Sequence, residues 1–208
     1  MKILICDDHK LVREGIRKIL QLMGNSIFFA EASNSVEAVS LLNTSSFDIL
    51  LLDISLPGRS GLELLETVKR KWPATNVLML SMHPQEQYAV KALKMGASGY
   101  LTKDTASEEL LFAITKISMG GKYISATLGE SLAENINEDK TKELHEILSM
   151  REFEIMVRLA NGYSLQEIGN DLFISDKTVS TYRRRILDKM GFKRNTELAK
   201  YCIHNGLI

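Results

Sequence analysis

Apolar and polar residues alternate along the first 120 residues in a pattern of short strands and amphipathic helices. Five apolar runs predict strands, at residues 2–6, 26–32, 47–53, 76–81 and 98–103. Apolar residues at three- or four-residue spacing predict helices at residues 11–23, 36–43, 61–72, 85–96 and 107–120. Strict alternation of strands and helices favours an α/β fold, a doubly wound five-stranded parallel sheet with helices on both faces.

Polar side chains stand where these predicted strands end. The run FDILLLD is typical of a strand buried on both faces, yet it ends in Asp53, and Asp7 and Asp8 end the first strand. Ser81 ends the fourth strand and Lys103 ends the fifth. Ligands of doubly wound sheets bind at the carboxyl ends of the strands, near the switch in strand order. The sequence therefore predicts one site that contains all five side chains.

The three carboxylates of this predicted site repel one another unless a cation intervenes. Carboxylate, carbonyl and water oxygens are ligands that suit Mg²⁺. Beside a lysine and a hydroxyl, such a site suits a phosphoryl group, and an aspartate can accept that group as an acyl phosphate. A single Asp at a strand end is more often a helix cap or turn residue. The five positions together favour phosphoacceptance by Asp53.

The chain changes character after residue 120. Residues 121–147 are polar and weakly periodic, which predicts a linker between a first domain, 1–120, and a second, 148–208. In the second domain the segments SMRE and SLQE both fit the capping box that begins a helix. The tight connection NGYS between two such helices predicts a helix-turn-helix inside a small all-α bundle of four helices.

The third helix of this bundle has one apolar face and one basic face. Val179, Tyr182, Ile186 and Met190 recur at helical spacing and form the inward face. Hydroxyl and basic residues lie largely off that face. A basic helix face is usually a solvated surface, but three adjacent arginines in a helix-turn-helix favour DNA contact. We expect Ser180, Thr181 and Arg184 at base edges, and at phosphates Lys177, Thr178, Arg183, Arg185 and Lys189.

Composition narrows the class of protein further. The chain is 45% hydrophobic and 25% charged with a net charge of zero, but residues 173–194 carry seven bases against two acids, a net of +5. A local basic segment in a neutral chain points to a nucleic-acid partner. Acids interrupt the N-terminal segment MKILICDDHK and no apolar run could span a bilayer, so we expect a cytoplasmic protein without membrane contact. Cys6 and Cys202 are expected to be reduced, buried thiols.

The first domain resembles the receiver domain of two-component response regulators, which has a flavodoxin-like fold. The resemblance rests on Asp-Asp at 7–8, LLLDISLPGRSGLEL at 50–64, the serine at 81 and GASGYLTKD at 96–104. It implies that Asp53 is the phosphoacceptor and that Mg²⁺ binds Asp8 directly, Asp7 largely through water, and the backbone carbonyl of Ser55. It further implies that Ser81 and Lys103 bind phosphoryl oxygens and that Tyr100 turns inward with Ser81 as a switch.

The second domain resembles the LuxR/FixJ/NarL type of DNA-binding module, on residues 148–192. The order of domains implies a transcription regulator that is phosphorylated by a partner sensor histidine kinase, forms a homodimer when phosphorylated and binds paired half-sites in double-stranded promoter DNA. The segment TVSTY is similar to the subgroup related to GacA. In the fourth helix, Leu198 and Cys202 belong to an apolar stripe, and they are either core residues or dimer contacts.

Three alternatives remain at this stage. Phosphatases of the haloacid dehalogenase type use an aspartyl nucleophile on a similar sheet, but they resemble D-x-D-x-T where this chain has CDDHK. We therefore expect a regulator, not an enzyme. A regulator that works without phosphorylation, or through protein contacts alone, also stays open. The pair His145-Glu146 superficially resembles a kinase phosphohistidine site, and we expect it to lie on the surface of the linker.

Overall fold

The computed structural model describes residues 1–24, 27–57, 60–82, 86–103, 106–125, 128–129 and 144–208. The chain forms two compact units, Met1–Asn137 and Glu138–Ile208. Most of the predicted linker lies outside the described residues. Within the described ranges, every helix is too short or too polar to cross a bilayer.

The first unit contains the predicted five-stranded parallel sheet. Its strands are Lys2–Cys6 (β1), Phe28–Ala32 (β2), Ile49–Asp53 (β3), Asn76–Ser81 (β4) and Gly99–Thr102 (β5). Their order in the sheet is β2-β1-β3-β4-β5, and each neighbouring pair is parallel. The strand order reverses between β1 and β3. At such a reversal a doubly wound sheet has a crevice at the carboxyl ends of its strands.

Helices connect these strands as the periodicity predicted. They are Lys10–Gln21 (α1), Ser35–Thr44 (α2), Gly61–Lys71 (α3), Glu86–Lys94 (α4) and Ala106–Ser118 (α5). All five residues of β3 are buried because helices cover both faces of the sheet. One core cluster joins apolar residues of the sheet to α1 and α5 and extends past the end of α5 to Tyr123.

Residues just after α5 belong to the first unit, not to a free linker. Tyr123 forms a parallel bridge with Gly99 of β5 and donates its backbone N–H to the carbonyl of Ser98, at 2.9 Å. Its ring is 5% exposed, and its hydroxyl is hydrogen-bonded to the Glu109 carboxylate. A Cβ atom on Gly99 would lie 2.8 Å from the carbonyl oxygen of Tyr123, so β5 begins with a glycine where this segment approaches.

The second unit contains the predicted four helices: Met150–Ala160 (α6), Leu165–Asp171 (α7), Asp176–Met190 (α8) and Asn195–His204 (α9). Ser149 and Ser164 each accept a hydrogen bond from the backbone of a glutamate three residues later, and that glutamate caps back. Both predicted capping boxes are therefore present. Gly191 ends α8 in the left-handed conformation, with φ of 72°.

The structure decides between two alternatives for α9 and corrects one prediction for the second unit. Leu198 and Cys202 are both 0% exposed, so they belong to the core of the unit and not to a dimer surface; α9 exposes Ile203 instead, at 65%. His145, expected on the surface, is 9% exposed. It lies in a 3₁₀ turn, Leu144–Ile147, and its Nδ1 is 2.9 Å from the hydroxyl of Tyr201.

Both cysteines of the chain fall within the described ranges, and both are free, buried thiols. Cys6 ends β1 and Cys202 lies in α9. Burial raises the pKa of each thiol, that of Cys202 to about 11. Negative charge from Asp53 and Asp7 raises the pKa of Cys6 further.

Candidate functional site: an acidic pocket and a basic helix

The carboxyl edge of the sheet brings the predicted polar residues together. Asp7 follows β1, Asp53 is the last residue of β3, Ser81 is the last residue of β4, and Lys103 follows β5. The side chains of Asp7 and Asp53 are 0% and 1% exposed, and that of Lys103 is 7% exposed. Adjacent parallel strands end at the same edge, and this is why residues up to 96 positions apart in sequence meet here.

Lys103 joins the two buried carboxylates. Its Nζ lies 2.7 Å from Oδ2 of Asp7 and 3.0 Å from Oδ2 of Asp53. Burial opposes the charge on this ammonium group, but attraction to Asp53 and Asp7 outweighs burial and raises the pKa of Lys103. The two acids therefore favour the charged form of the lysine that lies between them.

The negative charge of the pocket is only partly balanced. Burial, and then repulsion from Asp7, raise the pKa of Asp53 to about 6, against the attraction of Lys103. Three carboxylates share the pocket, and the ammonium group of Lys103 lies within 3.0 Å of only two of them, Asp7 and Asp53. Clustered carboxylates repel one another, and a cation at this position would reduce that repulsion.

The residues present fit a magnesium ion. One ligand atom from each of Asp7, Asp8, His9 and Asp53 lies within 4.8 Å of the others. The carboxylates supply oxygen ligands, and Asp8 is the part-exposed member, with 24% of its side chain open.

His9 is a residue of this pocket that the sequence did not single out. Its Nδ1 lies 2.9 Å from Oδ1 of Asp8, and its backbone N–H donates to Oδ1 of Asp7 at 2.8 Å. It is also the residue before α1. The signal available was only its position beside two acids in CDDHK.

Ser81 and Tyr100 are already linked in this structure. A hydrogen bond joins the Ser81 side chain to the Tyr100 hydroxyl. Tyr100 is 4% exposed, so its ring is turned inward. Burial raises the pKa of Tyr100 to about 12, and the charge of Asp53 adds to this effect.

The backbone around Asp53 is held by a close approach of α3. Gly61, the first residue of α3, donates its N–H to the carbonyl of Ile54 at 2.9 Å. A Cβ atom on Gly61 would lie 1.9 Å from the carbonyl oxygen of Asp53. A side chain at this position would therefore displace the strand end that carries Asp53.

In the second unit, α8 presents most of the predicted DNA contacts to solvent. Its inward face is buried at Val179, Ile186 and Met190, and Tyr182 is half-buried. The predicted contacts that are exposed are Lys177, Thr178, Ser180, Thr181, Arg184, Arg185 and Lys189. Residues Lys177, Ser180, Thr181 and Arg184 also line an open groove of about 690 Å³, together with Lys193, a base that the sequence did not single out.

Two of the predicted phosphate contacts, Arg183 and Lys189, also bind side chains within the unit. Nε of Arg183 donates to Oδ1 of Asn195 at 2.7 Å. Nζ of Lys189 donates to Oε2 of Glu152 at 2.7 Å, and the Glu152 side chain is only 4% exposed. Burial works against the charge on Glu152, but hydrogen bonds from Lys189 and Ser149 outweigh it and lower the pKa of this carboxyl.

The first unit has an acid cluster with a lysine at the edge of a doubly wound sheet. The second is a helix-turn-helix unit with a basic exposed helix. Together in one chain, these features define the class of signal-receiving DNA-binding regulators. Known families agree with this class. A model described as the response regulator receiver domain matches residues 3–115, and one described as bacterial regulatory proteins, luxR family, matches residues 146–202.

The chain belongs to the two-component response regulators that carry a LuxR-type DNA-binding domain. It is similar to the response regulator UvrY of Escherichia coli (strain K12), a GacA-related protein, with 35% identity over 208 residues that cover 100% of this chain and 95% of UvrY. It is 37% identical to the oxygen regulatory protein NreC of Staphylococcus aureus (strain bovine RF122 / ET3-1) over 215 residues, 100% of this chain and 99% of NreC.

Solved structures of related regulators match the chain over nearly its whole length. The RcsB response regulator of Salmonella typhimurium is 27% identical, with a TM-score of 0.61 over 97% of each chain. A structure of RcsB in complex with DNA is 25% identical, with a TM-score of 0.61 over 97% of this chain and 96% of that one. The protein is thus a phosphorylation-controlled, DNA-binding transcription regulator.

Proposed function

We propose that Asp53 is the phosphoacceptor and that a sensor histidine kinase is its donor. The observation that carries this proposal is the burial of Asp53 at the sheet edge, 3.0 Å from the Lys103 ammonium group. A carboxylate oxygen of Asp53 attacks the phosphorus atom of the donor's phosphohistidine. The new P–O bond forms as the P–N bond breaks, and the released imidazole takes up a proton.

The other residues of the pocket serve this transfer by position and charge. Asp7, Asp8, Asp53 and the backbone carbonyl of Ser55 would hold Mg²⁺, which supplies charge neutralisation for the phosphoryl oxygens. Lys103 leaves its bond with Asp53 and binds one of those oxygens. The Ser81 hydroxyl binds another, and the Ser81–Tyr100 hydrogen bond makes Tyr100 respond to the move.

The phosphoacceptor is tested by the intact mass of the chain after incubation with acetyl phosphate and Mg²⁺. We expect one phosphoryl adduct on the wild type and none on Asp53→Asn. Asp48→Asn is the matched control, because Asp48 lies just before β3 and binds the backbone N–H of Lys2 at 2.7 Å, so it should be phosphorylated like the wild type. An adduct on Asp53→Asn at the wild-type rate would refute the assignment.

For DNA we propose that α8 enters the major groove and that Ser180, Thr181 and Arg184 face base edges. Lys177, Thr178 and Arg185, all exposed on α8, are placed to bind phosphates. The chain would act in the cytoplasm, as a homodimer on paired half-sites when phosphorylated. Support for the dimer comes from RcsB, of which two dimers are described bound to two parallel DNAs.

The reading of bases is tested with Arg184→Ala. Because a bidentate arginine–guanine contact contributes about 1–3 kcal/mol to discrimination, the variant should lose affinity for a selected site about tenfold or more and lose little on unrelated DNA. Lys177→Ala is the comparison, since a phosphate contact weakens binding to both DNAs equally. An equal loss on both DNAs for Arg184→Ala would make it a backbone contact.

A further inference from the structure

A buried charge cluster lies under the helix-turn-helix. Arg151 and Glu154 of α6 are 4% and 3% exposed. Nη1 of Arg151 donates to Oε2 of Glu154 at 2.8 Å, and Nη2 of Arg151 donates to the backbone carbonyl of Leu172 at 2.8 Å. The guanidinium group thus joins α6 to the turn between α7 and α8. Burying a charge costs desolvation free energy unless the charge is fully paired, so a buried cluster at this position suggests a specific role.

The turn that Arg151 contacts has a conformation that needs support. It closes α7 with two reversed hydrogen bonds, from Ile174 N–H to the Gly169 carbonyl at 2.9 Å and from Phe173 N–H to the Asn170 carbonyl at 3.3 Å. Glycine usually occupies the left-handed position of this motif. Here Phe173 occupies it, with φ of 53° and 66% exposure, which is a strained choice for a residue with a side chain.

The turn is also crowded and short. A Cβ atom on Gly169 would lie 2.7 Å from the carbonyl oxygen of Ile174, so α7 and the turn are already in contact. Ser175, the residue after Ile174, caps α8 by accepting the Thr178 N–H at 3.1 Å. Any shift of the Leu172 carbonyl is therefore passed within three residues to the first turn of α8.

We propose that Arg151 is a positioning residue for DNA recognition. Its two-pronged guanidinium group fixes the turn against α6 and so sets the direction in which α8 presents Ser180, Thr181 and Arg184 to base edges. A planar fork can bind a carboxylate and a carbonyl at once in one fixed geometry, whereas a lysine ammonium is a mobile point charge. The inference rests on the proposed contact of α8 with DNA. It adds a residue that does not itself contact DNA.

Arg158 provides a matched control within the same cluster. Its Nη1 lies 3.3 Å from Oε1 of Glu154, so it shares the carboxylate that Arg151 binds. Its own backbone contact is with the carbonyl of Glu154, at 3.4 Å, within α6. Nε of Arg158 also lies 4.0 Å from Oδ2 of Asp171, whose side chain is 50% exposed at the end of α7. Substitution of either arginine disturbs the buried carboxylate, but of these two only Arg151 binds the backbone carbonyl of Leu172 at the turn.

The experiment compares the full-length wild type, Arg151→Lys and Arg158→Lys, each after the same treatment with acetyl phosphate and Mg²⁺. A preferred site is first selected from random DNA with the wild type, and affinities for that site and for a scrambled duplex are then measured at one salt concentration. We expect Arg151→Lys to lose roughly tenfold in the ratio of the two affinities, the scale of one misplaced base contact. Arg158→Lys should keep the wild-type ratio.

A folded Arg151→Lys chain with the wild-type ratio would overturn the inference, and so would an equal loss of ratio in Arg158→Lys. Thermal unfolding establishes that each variant is folded. Arg151→Met gives a second test if lysine is not tolerated, because its apolar chain fills the space while Glu154 keeps Arg158. A wild type that selects no site from the pool would instead defeat the proposed DNA function, and the two failures are thereby distinguishable.

Discussion

Asp53 shows how a single residue is placed for function at the expense of stability. It ends a fully buried strand, and burial together with repulsion from Asp7 raises its pKa to about 6. The folded chain therefore holds the Asp53 proton more tightly than the unfolded chain does. The charged form of this side chain disfavours folding above pH 6 in the absence of a cation.

We expect Asp53→Asn to stabilise the chain in the presence of a metal chelator. At pH 8 the gain in free energy of unfolding should be on the order of 2–3 kcal/mol, the cost of holding this carboxylate charged when buried. The gain should shrink as the pH falls through 6 and vanish below the unfolded-state pKa of 3.8, where the wild-type carboxyl is protonated in both states. Denaturant unfolding at several pH values measures it.

The control for this prediction is Asp188→Asn, because the Asp188 side chain is 73% exposed on α8. Its substitution should change stability little at any pH. A stabilisation by Asp53→Asn that stayed constant from pH 8 to pH 4 would show that the buried charge of Asp53 is not its cause.

Lys189 is a basic residue of α8 that the structure pairs with an acid of its own unit. Its ammonium group lies 2.7 Å from the nearly buried carboxylate of Glu152, which also caps α6. We expect Lys189→Met to lower the free energy of unfolding by about 1–3 kcal/mol, since it leaves a charged group short of a partner. We expect the salt dependence of DNA binding to stay unchanged.

Lys177→Met is the comparison for Lys189, because Lys177 is exposed at the start of α8. It should leave stability nearly unchanged and reduce the slope of log affinity against log salt by about 0.9, one phosphate contact. Titrations at three salt concentrations separate the two variants. A reduced slope for Lys189→Met would show that Lys189 contacts a DNA phosphate.

At the scale of elements, two glycines in helices of the first unit should respond in opposite ways to the same substitution. Gly61→Ala would put a Cβ atom 1.9 Å from the Asp53 carbonyl oxygen, so α3 or β3 must move. Gly15, within α1, has open space around it, and alanine there should stabilise the helix by about 0.5–1 kcal/mol. Thermal unfolding of the two variants should shift in opposite directions, and the Gly61→Ala chain should also be phosphorylated more slowly.

The sequence predicted the five strands and nine α-helices that lie within the described ranges, because those elements depend on local patterns. The strand FDILLLD and the capping boxes at Ser149 and Ser164 are examples. The burial of His145 was not predicted because its partner, Tyr201, is 56 residues away. The ion pair of Lys189 was not predicted either, because Glu152 is 37 residues away. A helical stripe in one sequence likewise does not tell whether it faces the core or another chain, as Leu198 shows.

At the scale of the whole molecule, the first folded unit extends past the residue where its last helix ends. Tyr123 bridges to β5 and belongs to the core cluster. A fragment cut after residue 120 should therefore unfold at a lower temperature than one cut after residue 125. Replacement of Tyr123 by Ala in the longer fragment should reproduce most of the difference, and Tyr123→Phe only the part that the Glu109 hydrogen bond contributes.

Equal melting temperatures for the two fragments would show that the first folded unit ends at residue 120. The boundary matters for any study of the isolated receiver domain. A fragment that ends at residue 120 would lack Tyr123 from its core, and its properties would not represent those of the receiver in the full chain. Residue 125 is therefore the safer of the two limits for such a fragment.

The two enclosed thiols make the chain a ready subject for optical experiments. Cys6 and Cys202 are shielded from solvent, and their raised pKa values keep them protonated at neutral pH. A maleimide dye should therefore react with neither thiol. Cysteines introduced at open positions in each unit, such as Leu22 and Ile203, would then take a donor and an acceptor dye without prior removal of native residues. Energy transfer between the dyes would report, in one intact chain, how the separation of the units responds to a phosphoryl group.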